Sequence, residues 1–228
     1  MKNGRREGKR ARASGTAVER PASSSCRANA KFRRGVLLTL LAALVISAWR
    51  PLDLEDFLIE HLLTGLVFAV LLIGTRRWPL SDRAWLFIGL YSLLHILGAH
   101  YTYTQVPYDD WTRAIFGQSL NDSMGWERNH FDRLVHFLWG FLLFVPLDEL
   151  VRRTGATARW AAFVTICILA TASSIYEMLE WSATIVLSPE AAETYNGQQG
   201  DLFDAQKDTA LALTGSILAM ALARWRWG

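Results

Sequence analysis

The chain predicts an all-α, polytopic membrane protein of six transmembrane helices behind a disordered basic N-terminal tail, and three observations lead there. Of its 228 residues 51% are apolar, and they fall in blocks long enough to cross a hydrocarbon core of about 30 Å. Trp49, Trp78, Trp111, Trp181, Trp225 and Trp227 stand near block ends, as the aromatic belts at a lipid-water boundary require. Basic and acidic side chains also separate to opposite ends of the blocks.

Residues 1–34 carry eleven Lys or Arg against Glu7 and Glu19, with Ser, Ala and Gly between them. So little apolar surface cannot offset the entropy of folding, and the stretch reads as a disordered tail. The membrane domain then covers 35–228, with spans predicted at 35–49, 57–75, 84–100, 131–150, 160–182 and 208–223. Each must be helical, because a lone strand in lipid leaves its peptide groups unpaired at several kcal/mol apiece. The first span is short, and Arg33, Arg34 and Arg50 are expected to snorkel at its ends. No small-residue cleavage site follows it, so it reads as a helix rather than a removed signal.

Orientation follows from the Lys/Arg bias of short loops. The tail, Arg76, Arg77, Arg83, Arg152, Arg153, Arg159, Arg224 and Arg226 define a cytoplasmic side that holds both termini. All five histidines and most acids define the outer side. The net charge of +3 therefore conceals a basic tail on an acidic body, and no nucleic acid partner is implied. The partner is the lipid bilayer, to whose anionic lipids the tail is attracted. Cys26 and Cys167 fall in the tail and in mid-membrane, which excludes a disulfide between them.

The outer ends of the helices carry the chemistry. The third ends in Gly98-Ala-His100 and enters an aromatic loop over 101–130, long enough to serve as a lid or site wall. On the fourth, Asp132, His136 and Gly140 step by four along one stripe, with Gly140 allowing close helix approach. The fifth brings Glu177 and Glu180. The sixth enters through Asp201, Asp204 and Asp208, which share a face if that helix starts near residue 200. Glu60 and His61 stand at the margin, His95 reads as a hydrogen-bonded core residue, and Asp109, Asp110, Glu190 and Glu193 read as solvated loop charge. A central charge facing lipid costs roughly 2.5–3.5 kcal/mol on insertion scales, so the acids must face inward. With Arg133 and Lys207 as the basic side chains among them, either several acids hold protons or a cation sits between them.

The runs Gly98-Ala-His100-Tyr-Thr-Tyr, Arg128-Asn-His130-Phe-Asp132-Arg133-Leu-Val-His136-Phe, Tyr176-Glu177-Met-Leu-Glu180-Trp181 and Gly200-Asp201-Leu-Phe-Asp204-Ala-Gln-Lys207-Asp208 resemble the signature runs of the YjdF-like bacterial inner-membrane proteins. The resemblance covers the chain after the tail and implies an inner-membrane location; that family is uncharacterised. From Asp132 onward the chain is also similar, more weakly, to VanZ-like membrane proteins, some of them linked to glycopeptide resistance. Asp132-Arg133 with His136, Glu177 with Glu180, and Asp204 with Asp208 fall on that family's pattern, with Glu180 and Asp208 standing where it has amides.

Three readings stay open. In the first, His100, His136, Glu180, Asp201, Asp204 and Asp208 supply ligands for a divalent metal, Zn or Mn by donor type. Asp132, Arg133 and Glu177 then act in hydrolysis or transfer on a lipid-linked envelope substrate, with Glu177 as general base. In the second, the acids bind or transport a cation, a proton or a cationic headgroup. In the third, Asp132–Arg133, Glu177 and Lys207 form a structural ion-pair network.

Overall fold

The computed structural model describes residues 29–77, 79–186 and 197–227; the tail through residue 28, Glu190 and Glu193 lie outside the described residues. Eight helices make up the described chain: α1 (Ala30–Ser47), α2 (Leu54–Arg77), α3 (Asp82–His100), α4 (Tyr108–Phe116), α5 (Leu120–Met124), α6 (Phe131–Arg152), α7 (Ala158–Val186) and α8 (Asp204–Trp227). Six are long and fall on the predicted segments. Two of them, α6 and α7 as far as Ile185, are long and apolar enough to cross a membrane among the described residues.

Helix α1 starts five residues before the predicted span because Asn29 caps it. The Asn29 side chain accepts from the Lys31 backbone N–H at 3.0 Å, and its own N–H donates to Asp82 at 2.6 Å. Helix α8 starts at Asp204 rather than near residue 200, which leaves Asp201 in the preceding turn. The aromatic loop folds into α4 and α5, two short helices closed by Gly117 and Gly125 in left-handed conformation, the usual helix C-terminal signal.

Contacts between helix ends give the directions. At one end Asn29 meets Asp82, and Ser81 donates to Glu149 through both its N–H and its hydroxyl. At the other, His100 Nδ1 lies 2.8 Å from the Ser47 carbonyl, and Arg128 meets Asp204. Thus α1 and α3 run together, and α6 and α8 run together the opposite way. The sorting inside out is that of a bundle solvated by lipid. Leu38, Leu62, Leu66, Met178 and Ile185 face outward, while Ser92, His95, Thr165, Ser173, Glu180 and Ser216 are buried.

Helix α6 is central, packing against α3, α7 and, most extensively, α8. The α6–α8 seam is set by two glycines. A Cβ on Gly140 would collide with the Ala212 carbonyl, and one on Gly215 with the Phe137 carbonyl. Without hydrophobic drive between helices in lipid, such backbone approach is what lets them pack.

Candidate functional site

Because α6 and α8 run in the same direction and touch at Gly140 and Ala212, their four-residue steps lie side by side. Asp132, His136 and Gly140 on α6 match Asp204, Asp208 and Ala212 on α8. One ligand atom from each of Asp132, His136 and Asp208 lies within 4.8 Å of the other two. Helix α7 closes this group: Glu177 Oε1 is 3.1 Å from His136 Nε2, and Asp132 Oδ1 is 3.6 Å from the same nitrogen. Ser173 Oγ lies 3.4 Å from Nδ1 on the far side of the ring. Glu180 is buried one turn beyond Glu177. Asp208 is only 1% exposed, and its Oδ1 has no hydrogen-bond partner. Buried polar atoms are nearly always paired, by protein, water or an ion, so this oxygen is open to a partner beside the two neighbouring ligand atoms.

Asp201 and Asp204 stand apart from that group, in an ion-pair clip at the N-terminal end of α8. Arg128 grips Asp204 in bidentate fashion at 2.6 and 3.3 Å and donates to the carbonyls of Gly197 and Gln198. Arg133 joins Asp201 and Asp204, and Lys207 reaches Asp201 at 2.5 Å. The Lys207 ammonium first, then the Phe203 N–H and Arg133, hold the Asp201 carboxyl below the usual carboxylate range. A depressed pKa adds stability above the unfolded value near 3.9 and loses it as pH falls below that. The clip should therefore stay closed at pH 5 and loosen toward pH 2, read as faster pepsin cleavage around 197–204 at the lower pH relative to an internal standard peptide.

Removing Arg128 would leave Asp204, whose side chain is 5% exposed, with Arg133 at 3.2 Å as its remaining cationic partner. Arg128→Ala is expected to destabilise the protein by about 1.5–3 kcal/mol, the loss of charge-assisted hydrogen bonds to a carboxylate that keeps Arg133. Thermal melting in detergent checks this, and an unchanged melt would show that the clip carries no stability.

His100 does not join the group either; it ties the end of α3 to the end of α1 and packs edge-on against Tyr101 at 4.6 Å. His95 is a satisfied interior residue, held between Thr64 Oγ1 at 2.5 Å and the Tyr103 hydroxyl. Tyr103 adopts φ 53 and lays its ring over Gly98. A non-glycine residue in that left-handed region costs on the order of 1–3 kcal/mol, and the His95 contact offsets it. Burial pushes the Tyr103 hydroxyl well above its usual range, keeping it a donor.

Between α2, α3, α6 and α7 lies a cavity of about 300 Å³, with Asp132 and His136 in one wall and Glu60, Tyr91, His95 and Tyr176 in others. Tyr176 donates to Glu60 Oε1 at 2.7 Å. Glu60 is thus part of the cavity rather than marginal. The available signal was a carboxylate inside an apolar segment, which is a site hypothesis by default. Arg128 carried no such signal, because its partners, the Gln198 carbonyl and the Asp204 carboxylate, lie 70 and 76 residues away in sequence.

The family described as "Predicted membrane protein (DUF2238)" matches residues 32–227. The chain belongs to this family. It is also 31% identical over 191 residues, 82% of this chain and 87% of the relative, to the "Inner membrane protein YjdF" of Escherichia coli strain K12. No solved structure matches. Family membership covers all the helices that build the cavity and the Asp132, His136 and Asp208 group, and it makes this a membrane protein, with a bacterial inner-membrane relative.

Proposed function

We propose that Asp132, His136 and Asp208 hold a divalent cation, Zn or Mn, at the outer side of the bacterial inner membrane. There the protein catalyses hydrolysis or transfer on an amphipathic, lipid-linked envelope substrate whose chain lies in the cavity. The reading takes all six long helices as spans with both termini cytoplasmic. The observation that carries it is the unpartnered oxygen of buried Asp208 within ligand distance of two further donors.

The parts have distinct roles. Ser173 Oγ can accept from Nδ1–H, the arrangement that leaves Nε2 to ligate and the one outer-shell partners of metal histidines provide. A cation here supplies Lewis acidity and lowers the pKa of a bound water. Glu177, 3.1 Å from Nε2, is placed to take the proton of the attacking water. Arg133 lies next to Asp132 in sequence but is engaged by Asp201 and Asp204, so its part is to hold the site's outer rim.

Elemental analysis of detergent-purified protein beside His136→Ala is the test, followed by incubation with a lipid-linked diphosphate. Near-stoichiometric metal that disappears in the variant, together with phosphate release by the wild type alone, is the expected result. Metal-free wild-type protein that keeps its fold would sink this reading.

A further inference from the structure

We propose that the cavity contains a second ligand position, in which Glu60 receives the protonated amine of an amphiphile. The inference deepens the reading above, since it rests on an amphipathic substrate sharing that cavity.

Glu60 is 4% exposed; Oε1 accepts from Tyr176, but Oε2 has no hydrogen-bond partner although it is buried. The side chain lines the cavity together with Tyr91, Tyr103, Trp139 and Tyr176, and Tyr91 meets Trp139 edge-on at 5.5 Å. Among the described residues no Lys or Arg lines the cavity, whereas Glu60 and Asp132 both do. Asp56, one turn earlier on α2, is also buried with an unpartnered Oδ2. This wall is therefore acidic with no Lys or Arg to balance it among the described residues.

What fits there follows from the donor geometry. Glu60 belongs to no group of three metal-ligating side chains among the described residues, so the wall is ill suited to a divalent ion. An ammonium carries three N–H donors, one for the free Glu60 oxygen, and it is attracted to aromatic faces within about 6 Å. Phe68, Ile88, Leu143 and Leu179 also line the cavity and would take the apolar chain. An anionic head would meet two carboxylates and no Lys or Arg here.

The test titrates hexylamine and hexanol by calorimetry into the full-length protein in non-ionic detergent. Wild type should bind hexylamine about tenfold or more tightly than hexanol, a difference of about 1.4 kcal/mol. Glu60→Gln, which can still accept from Tyr176, should lose that preference while still binding hexanol. Asp208→Asn should keep it. Equal binding of amine and alcohol by wild type, or an unchanged preference in Glu60→Gln, would overturn the inference. Metal content of the same samples separates the two readings: amine preference in metal-free protein leaves this one standing and removes the metal centre, and metal without amine preference does the reverse.

Discussion

Replacing Gly140 with leucine is expected to eliminate folded protein from the membrane fraction, the largest single effect anticipated for this chain. The first added carbon would sit on the Ala212 carbonyl and crowd the Ser216 N–H. Those are backbone atoms of a neighbouring helix and cannot rotate away. Even one extra methylene in a packed interior costs about 1–3 kcal/mol, and leucine adds four carbons at a contact that already excludes one. Alanine at Gly140 should give a milder loss, at the upper end of that range, because α8 can be displaced slightly. Size-exclusion profiles and thermal melts of both variants check this. A Gly140→Leu protein that elutes and melts like wild type would mean that α6 and α8 do not meet as described.

Asp208→Asn has the opposite character, with a large effect on ligand and little on the fold. Loss of one ligand should weaken metal binding by more than about 100-fold, the upper end of what outer-shell substitutions cost. Stability should hold, since Oδ1 has no hydrogen-bond partner to lose and the amide removes a buried charge. Metal titration alongside a thermal melt separates the readings. If Asp208 served as a structural fastener, the melt would drop and metal content would be irrelevant; that result would remove the catalytic proposal.

Much of the architecture was legible because long apolar blocks form helices, and six long helices fall on the predicted blocks. The Asp132, His136 and Gly140 stripe was equally legible, since four-residue spacing acts within one helix. Register between helices was not. Nothing in the spacing says that Asp208 comes level with His136 while Asp204 comes level with Asp132, because that depends on where Gly140 seats on α8. The same limit explains the division of the predicted ligands. Asp201 precedes α8 instead of sharing its face, and Asp204 is taken by Arg128 from the loop before α6. His100 followed its own helix end toward α1. The short helices α4 and α5 were missed because they lie in the aromatic loop, where turn and cap residues rather than apolar blocks decide structure.

The uneven packing of the bundle has a bearing on how a molecule gets in. Helices α6 and α8 are locked backbone to backbone, and the water-facing end is strapped by Arg128, Arg133 and Lys207. Helix α2, by contrast, packs only against α3 among the described residues, yet it forms a wall of the cavity that α7 also lines. The Tyr176–Glu60 hydrogen bond spans that seam. On the proposed reading, a lipid chain would enter sideways from the bilayer, between α2 and α7. The group that would greet an incoming amine is the same one that holds the door.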